Sequence, residues 1–449
     1  MKTLSKLISI LFLGISIIFL LYTLYRSELI HQETRFDYYL KYYLFGIFLI
    51  ILSIISFFID KEMKIDTCII LFSSMLGLYV VEGYFFLNSA HYQVLKSDIK
   101  FDVRTKLEIY QDLKKNDPNS VVSIVPSLLK IDNKTIFTLS GISNRKTLHC
   151  NENEYYSIYQ SDRYGFNNPD SEWDKEQISL LLVGGSFAHG DCVNEPDTIG
   201  GNLRKNIKSG GVLNLGQGGN GPLIEYATLR EYLPLTKTER VLWIYYEGND
   251  LLELSRELNN KILLKYLNNQ NFTQNLYLKQ GKIDTKRIND LKKSTKLLKK
   301  ENLNFSKNEN LNHLKFEFIN FLKLFNTRKL TIEKMFYGAS PKDLKKILEL
   351  SKKFTETNGA KFYFIYLPEY HRYIINLNIN NNYKNYKKVI KTVESLNIPL
   401  IDIHKELFHL HNDPKSLFPF RSEGHYTELG YKMVAETISK KIIEFERIK

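Results

Sequence analysis

The sequence predicts an α/β domain built on a parallel sheet and preceded by three membrane-spanning helices. Apolar runs of about 20 residues each stand at residues 7–25, 42–59 and 68–87. The rest of the chain contains five short apolar runs bounded by Gly, Asn or Asp, with helical stretches between them. Short runs of this kind are typical of strands buried on both faces, and their alternation with helices favours a parallel sheet.

The composition is that of a chain with a packed core. Of the 449 residues, 43% are apolar and 25% are charged, which excludes a wholly disordered chain, a collagen-like repeat and a small disulfide-stabilised scaffold. Lys and Arg outnumber Asp and Glu by 62 to 49. The excess lies in Lys- and Asn-rich helical stretches such as residues 292–296, without a nucleic-acid-binding motif. We therefore predict solvated basic faces and no nucleic-acid partner.

Residues 1–90 are predicted to form a membrane anchor of three helices. About 20 helical residues at a rise of 1.5 Å cross a hydrocarbon core of roughly 30 Å. The first run alone is similar to the core of a signal peptide, but it is long for one and no small-residue cleavage site follows it. Glu82 stands near the end of the third run, where a carboxylate can reach the interface.

The charge pattern leaves the orientation of this anchor open. Three spans put the N-terminus and the large C-terminal part on opposite sides of the membrane. The flanking basic residues are nearly balanced and lean slightly against export of the C-terminal part, although long domains weigh little in this rule. They are Lys2, Lys6, Lys61 and Lys64 on one side, and Arg26, Arg35, Lys41, Lys96, Lys100 and Arg104 on the other.

The remaining chain is predicted to comprise a connector and lead-in at residues 91–155 and the α/β domain at residues 156–449. The five predicted strands are residues 178–183, 212–215, 241–246, 362–367 and 398–403. Helices between them predict right-handed crossovers and helices on both faces of the sheet. A helical insertion is predicted at about residues 255–340. Two interpretations of it stay open, a cap or partner surface and a solvated elaboration.

Residues whose side chains or N–H groups could take part in chemistry stand after the predicted strands or before the last predicted helix. Ser186 comes directly after the first strand, Gly219 lies in a glycine-rich turn after the second, and Asn249 follows the third, while His425 precedes the last predicted helix. Because the carboxyl ends of parallel strands meet at one edge, these residues are expected to converge. Each also has a structural interpretation: a serine can cap a helix, glycines can form a plain turn, and a lone histidine is more often structural.

In order and placement, the blocks Gly184-Gly185-Ser186-Phe187, Gly219, Gly248-Asn249-Asp250 and Gly424-His425 resemble the SGNH, or GDSL-type, hydrolase superfamily. The resemblance covers residues 162–449. It implies a three-layer α/β/α flavodoxin-like fold and chemistry on esters through an acyl-serine. It also implies that Ser186 is the nucleophile and His425 the base, with an oxyanion hole formed by Ser186, Gly219 and Asn249.

Two cysteines lie in the soluble part, Cys150 and Cys192. Their spacing alone is equally compatible with a disulfide and with two thiols. The segment at residues 161–169 resembles the one before the nucleophile block in membrane-anchored bacterial members of the superfamily, in which two cysteines occur at corresponding places. That resemblance implies a Cys150–Cys192 disulfide, a bacterial inner-membrane location and an extracytoplasmic domain.

The sequence departs from the superfamily pattern at two positions. Gly185 stands where an aspartate usually precedes the serine, and Ser422 stands where the triad acid is expected, three residues before His425. Glu423 is the nearest carboxylate and is predicted to orient the imidazole. The alternatives are a Ser–His dyad and, more distantly, Asp402 as the acid.

These residues predict a membrane-anchored serine esterase without a cofactor or metal. Neither a metal-ligand pattern nor a phosphate-binding glycine loop is recognisable in the sequence. The expected partners are the bilayer and an acyl-ester substrate, with an acyl ester of a cell-envelope glycan or lipid suggested by the predicted location. An O-acyltransferase using the same residues is the alternative within this chemistry. A catalytically inactive binding or scaffold protein of the envelope is the alternative outside it.

Overall fold

The computed structural model describes residues 2–30, 36–87, 102, 104–207, 209–302, 318–328, 340–373 and 381–447. It separates into two compact units, Met1–Gly83 and Tyr84–Lys449. Parts of the predicted connector and of the predicted insertion, at residues 88–101, 303–317 and 329–339, lie outside the described residues.

The N-terminal unit is formed by long apolar helices. They are α1 (Lys2–Leu24), α2 (Phe36–Ser56) and α3 (Lys61–Leu87), and a π-helical turn, Tyr25–Ile30, extends α1. The stretches long and apolar enough to cross a membrane are Lys6–Glu28, Tyr39–Ser56 and Lys61–Leu87. The prediction of three such helices is confirmed, although the third begins earlier than the predicted residue 68.

The lead-in folds into small β-structures behind one helix. Helix α4 (Lys106–Asn116) begins with a capping box formed by Thr105 and Glu108, which satisfies backbone N–H groups at its first turn. The strands are β1 (Val121–Val122), β2 (Leu128–Ile131), β3 (Lys134–Phe137), β4 (Lys146–Leu148) and β5 (Ile158–Gln160). β2 pairs with β3 and β4 with β5, both antiparallel, and β1 pairs with β4 in parallel.

A central parallel sheet follows the lead-in. Its strands are β6 (Ile178–Gly184), β7 (Gly211–Asn214), β8 (Arg240–Tyr246), β9 (Lys361–Leu367) and β10 (Leu400–Asp402). All neighbours pair in parallel, in the order β10-β9-β8-β6-β7. This is the flavodoxin-like order, in which the first strand of the sheet lies inside the second. All five predicted strands are present, so the predicted fold class is confirmed.

Helices cover both faces of the sheet. The helices from residue 186 onward are α5 (Ser186–His189), α6 (Ile199–Asn206), α7 (Pro222–Tyr232), α8 (Asp250–Glu257), α9 (Leu263–Asn268), α10 (Gln280–Asn302), α11 (Phe325–Arg328), α12 (Pro341–Thr357), α13 (Asn381–Ser395) and α14 (Glu428–Arg447). The core lies on either side of the strands: α7, α12 and α13 pack on one face, and α6 and α14 on the other.

Alternation along β6 shows how the sequence specifies these layers. Leu181 and Val183 belong to the core under α7, whereas Leu180 and Leu182 belong to the core under α14. Successive side chains of a strand point to opposite faces, so a strand covered on both sides must be apolar throughout. Burial of each such side chain contributes roughly 1.5–3 kcal/mol to the stability of the fold. This burial holds β6, and with it the start of the turn that follows.

The described part of the insertion between β8 and β9 is helical and contacts the lead-in. The side-chain amide of Gln274 accepts from the Phe137 N–H at 2.9 Å and donates to the Phe137 carbonyl at 3.0 Å. Asp284 on α10 accepts from the backbone N–H and the hydroxyl of Ser143. The insertion therefore supports the small β-structures, next to which the candidate site is built.

Candidate active site

Ser186 is the first residue of α5, directly after the central strand β6. Gly184 allows this tight turn, because a Cβ there would lie 2.7 Å from the Ala188 Cβ and 2.8 Å from the Ile244 carbonyl oxygen. The N–H groups of Gly190 and Asp191 both donate to the Ser186 carbonyl at 3.0 Å. Two hydrogen bonds thus hold the serine carbonyl, while the residue stands at the carboxyl edge of the sheet.

His425 lies against this serine. Its Nε2 is 2.8 Å from Ser186 Oγ, a hydrogen-bond distance. The Phe187 ring, next to the serine in sequence, lies 4.8 Å from the His425 ring and stacks on Tyr246 at 4.0 Å. Apolar packing therefore limits the rotation of the imidazole, and the two residues predicted from opposite ends of the domain are brought together.

The other side of the His425 ring faces Glu152. The Glu152 carboxylate oxygens lie 3.1 and 3.0 Å from His425 Nδ1, and one of them accepts the His425 backbone N–H at 2.7 Å. Glu152 is located in the turn that joins β4 to β5, where Ser157 donates its backbone N–H to the Cys150 carbonyl at 2.8 Å. The result is a chain of contacts from Ser186 through His425 to a carboxylate, the arrangement of a catalytic triad.

The carboxylates predicted from sequence take other positions. Glu423 is half-exposed, and one of its oxygens lies 3.7 Å from Nε2 of His371, so Glu152 occupies the place predicted for Glu423. Ser422 is buried, with its hydroxyl 3.4 Å from the Phe420 carbonyl. Asp402 accepts from the Tyr386 hydroxyl and the Lys405 N–H. The sequence analysis did not find Glu152 at this place because the residue belongs to the lead-in, 273 residues from His425.

The predicted oxyanion-hole residues end the two strands beside β6. Gly219 follows β7 and has a φ of +79°, a left-handed conformation that favours glycine. A Cβ on Gly185 would lie 3.1 Å from the Asn220 carbonyl oxygen, so this glycine-rich turn borders the serine turn. Asn249 follows β8 and precedes α8, and its side chain makes no capping hydrogen bond to that helix. Their roles toward an oxyanion stay a prediction.

A disulfide joins Cys150 and Cys192. Cys192 is fully buried, and its sulfur lies 3.9 Å from Nδ1 of His425. The Asn153 side chain donates to the Cys192 carbonyl at 3.1 Å. The covalent link therefore ties the turn that carries Glu152 to the loop that follows the Ser186 helix.

A second carboxylate, that of Asp191, lies close to the imidazole of His425. Asp191 Oδ2 is 3.8 Å from Nε2 of His425, and Asp191 Oδ1 is 2.9 Å from a ring nitrogen of His149 and of His189. His189 and Asp191 are almost fully buried. Neither Asp191 nor Glu152 was predicted from the sequence. The available signal for Glu152 was its position two residues after a cysteine expected to pair close to the serine.

The charges of this cluster shift the protonation equilibria. Burial alone would lower the pKa of His425, but the Glu152 carboxylate, and then that of Asp191, raise it to about 9. Burial would raise the pKa of Glu152, yet the nearby His425 lowers it below its ordinary value. Burial would also raise the pKa of Asp191, but the charges and hydrogen bonds of His149 and His189 outweigh it and hold this pKa well below its ordinary value. The pKa shifts of His425 and Glu152 therefore both favour a protonated imidazole beside a charged Glu152 carboxylate.

Within the described residues, two groups of side chains bring three metal-ligating atoms close together. They are His149, Cys150 and Asp191, and Glu152, Cys192 and His425. Each group includes a disulfide sulfur, and a metal is ligated by a thiolate rather than by a sulfur bonded to sulfur. The donor chemistry of both groups therefore fits a metal poorly.

No protein-family model matches the chain, and no curated protein matches it. Three solved structures are similar over 59% of this chain. One is described as a lipolytic protein of the G-D-S-L family from Desulfitobacterium hafniense DCB-2 (12% identity, 99% of that chain, TM-score 0.33). The others are a lipase/acylhydrolase from Enterococcus faecalis (11%, 95%, 0.33) and the acetyl xylan esterase AlAXEase (12%, 98%, 0.34). At such identities and scores, the function must be inferred from the site's own residues.

Proposed function

We propose that this chain is a membrane-anchored serine esterase of the SGNH type, acting on acyl esters through an acyl-serine intermediate. The observation that carries the proposal is the distance of 2.8 Å between Ser186 Oγ and Nε2 of His425, with the Glu152 carboxylate at Nδ1. A nucleophile in contact with a base, itself oriented by a third group, is the geometric signature of nucleophilic catalysis. It argues against the inactive scaffold protein.

In the acylation step, Ser186 Oγ bonds to the ester carbonyl carbon and its proton passes to Nε2 of neutral His425. The carbonyl electron pair moves to the oxygen, giving a tetrahedral oxyanion. The oxyanion collapses, the bond to the alcohol oxygen breaks, and that oxygen takes the proton from His425. Water then repeats the sequence on the acyl-serine, releasing the carboxylic acid and restoring Ser186.

The oxyanion of these steps requires donors at the carboxyl edge of the sheet. Our candidates are the backbone N–H groups of Ser186 and Gly219 and the side-chain amide of Asn249, which stand at three adjacent strand ends. A donor aimed at the developing charge is worth about 3–4 kcal/mol in the transition state. Glu152 acts through His425: it fixes the ring orientation and stabilises the imidazolium formed when the serine proton arrives.

The anchor and the disulfide support a proposed location and substrate class. Three helices long and apolar enough to span a membrane support attachment to a bacterial inner membrane. The Cys150–Cys192 disulfide supports a domain on the oxidising, extracytoplasmic side. Acyl esters of envelope glycans or lipids are the substrates that an enzyme held there would meet.

The test is labelling of the detergent-solubilised full-length protein with a fluorophosphonate probe, which reacts with activated serines. We expect labelling of the wild type, loss of labelling in Ser186→Ala and His425→Ala, and retention in Ser422→Ala, whose hydroxyl bonds to a backbone carbonyl. An unlabelled, folded wild type that also fails to hydrolyse short-chain esters would contradict the proposal. Incubation with a labelled acyl donor, with and without a glycan acceptor, distinguishes hydrolysis from O-acyl transfer.

A further inference from the structure

The orienting carboxylate reaches the site on a turn between two short strands. Glu152 is held between β4 and β5, which have only three residues each. Its side chain is 34% exposed, so water competes for the carboxylate. This position requires that something outside the small sheet hold the turn against His425.

The disulfide provides the most direct connection. Cys150 lies two residues before Glu152, and its partner Cys192 lies two residues after Gly190, in the loop whose backbone donates to the Ser186 carbonyl. One covalent cross-link therefore joins the segment that carries the carboxylate to the segment that follows the serine, and these two residues are the hydrogen-bonded partners of the imidazole.

Two hydrogen bonds join the turn to Asp102, whose N–H donates to the Glu154 carbonyl and whose carbonyl accepts from the Asn151 side chain, both at 2.9 Å. Three others involve side chains. Asn153 donates to the Cys192 carbonyl at 3.1 Å, and the Ile158 N–H donates to the Asn194 side chain at 2.8 Å. The Tyr155 hydroxyl donates to Glu428 at 2.5 Å. The bonds to Cys192 and Asn194 depend on the same loop that the disulfide holds, so they weaken together with it.

We propose that the Cys150–Cys192 disulfide is a positioning element of the catalytic machinery, which couples the esterase to thiol–disulfide exchange by controlling whether Glu152 contacts His425. This inference rests on the proposed function. The oxidised protein is the active form, and a reduced protein retains Ser186 and His425 as a weaker pair. The disulfide thus contributes to catalysis and not only to stability.

The exchange step is balanced with an external dithiol as reductant. One thiolate of the dithiol attacks Sγ of Cys150, which is half-buried, whereas Cys192 is fully buried. The Cys150–Cys192 bond breaks, and the Cys192 thiolate leaves and takes up a proton. The second thiol of the reductant then displaces the Cys150 thiolate, which is protonated in turn. Two electrons pass to the protein, and the reductant leaves as a cyclic disulfide.

The experiment measures kcat/KM against pH for four full-length proteins, each oxidised and after treatment with dithiothreitol. They are the wild type, Glu152→Gln, Glu423→Gln and the double variant Cys150→Ser/Cys192→Ser. Reduction is expected to lower kcat/KM of the wild type and of Glu423→Gln roughly 10- to 100-fold, the cost of misplacing a catalytic group by about 1 Å. The acid limb of the pH profile should move to lower pH at the same time, because His425 loses its carboxylate.

The Glu152→Gln variant provides the control for a merely structural role. If the disulfide acts through Glu152, reduction of this variant changes kcat/KM less than about twofold, and re-oxidation of the wild type restores its activity. The kcat/KM of the double variant should equal that of the reduced wild type and should not change on treatment with dithiothreitol. A wild type that keeps its kcat/KM although mass spectrometry shows free thiols, or a Glu152→Gln variant that loses as much as the wild type, overturns the inference.

Hydrogen exchange gives a readout that is independent of activity. The His425 backbone N–H donates to Glu152 at 2.7 Å, so its exchange should accelerate on reduction in the wild type and be insensitive to reduction in Glu152→Ala, which leaves no side-chain acceptor there. If the oxidised protein shows no Ser186-dependent chemistry, the proposed function fails, and this measurement still decides whether the disulfide holds Glu152. Unchanged exchange in the reduced wild type overturns the inference.

Discussion

Glu152 holds His425 at two points: one carboxylate oxygen accepts the backbone N–H at 2.7 Å, and both oxygens lie 3.0–3.1 Å from Nδ1. A carboxylate that contacts Nδ1 leaves Nε2 directed at Ser186 Oγ, 2.8 Å away. The same residue therefore sets the tautomer of the imidazole and the course of the loop that carries it.

Replacement of Glu152 tests this role. Glu152→Gln should lower kcat/KM for a short-chain ester roughly 10²- to 10⁴-fold, because loss of the triad carboxylate removes the preferred tautomer and the charge that stabilises the imidazolium. Glu423→Gln, which removes the half-exposed carboxylate near His371, should change kcat/KM less than about twofold. The reverse ranking of the two variants would restore Glu423 as the acid.

The pH dependence follows from the raised pKa of His425. The base must be neutral to accept the serine proton, and the carboxylates of Glu152 and Asp191 stabilise the charged form up to a pKa of about 9. We expect kcat/KM to rise with pH and to level off above about pH 9. In Glu152→Gln the limb should move to lower pH, and a limb that stays in place would mean that Glu152 does not interact with His425.

The same pKa predicts a pH dependence of stability. The folded-state pKa of His425 lies above the unfolded value of about 6.5, so its interaction with Glu152 stabilises the fold fully below pH 6.5. This contribution is lost as the pH rises through about 9. Urea unfolding of the wild type and His425→Asn at pH 6 and pH 10 measures it, and the difference between the two proteins should be larger at pH 6.

Removal of the disulfide should also destabilise the protein. Cys150 and Cys192 are 42 residues apart, and closing a loop of that length removes unfolded-state entropy worth about 4 kcal/mol in the chain-entropy model. The thermal midpoint of Cys150→Ser/Cys192→Ser should therefore fall. Cys68→Ala, which removes the remaining cysteine and no disulfide, serves as the control, and an equal fall in that variant would argue against the explanation.

A buried ion pair next to the site offers a matched comparison. The Glu247 and Arg372 side chains are each 3% exposed, and the Arg372 Nε donates to Glu247 at 2.9 Å. Glu247→Gln removes the carboxylate charge from this buried pair and should cost roughly 3–5 kcal/mol of unfolding free energy. Glu253→Gln, which breaks a pair with the half-exposed Arg256, should cost less than about 1 kcal/mol. Denaturant unfolding measures both.

The fold was predictable because its signal is local. Each strand of the sheet is an apolar run whose neighbours in sequence end it, as Leu180 to Val183 illustrate before Gly184. The contact between Ser186 and His425 followed from the rule that strand ends converge. Neither the apolar runs nor the convergence of strand ends predicted the partner of His425. The lead-in brings Glu152 from 273 residues away, and no periodicity marks it.

Proximity in sequence was misleading at Glu423 for a backbone reason. Phe420 and Arg421 have φ values of +49° and +57°, a left-handed backbone conformation that is uncommon for residues other than glycine. Glu423 then lies near His371 and away from Nδ1, which Glu152 already occupies. Distance along the chain is a poor guide to direction where non-glycine residues adopt a left-handed conformation.

The position of Glu152 in the sequence determines which part of the chain carries all three side chains of the site. The parallel sheet, its helices and the serine–histidine pair begin after residue 160, but the carboxylate belongs to the small β-structure before it. A recombination that exchanged only the sheet would deliver Ser186 and His425 without the carboxylate that contacts the imidazole. The proposed triad therefore needs the lead-in as well as the sheet.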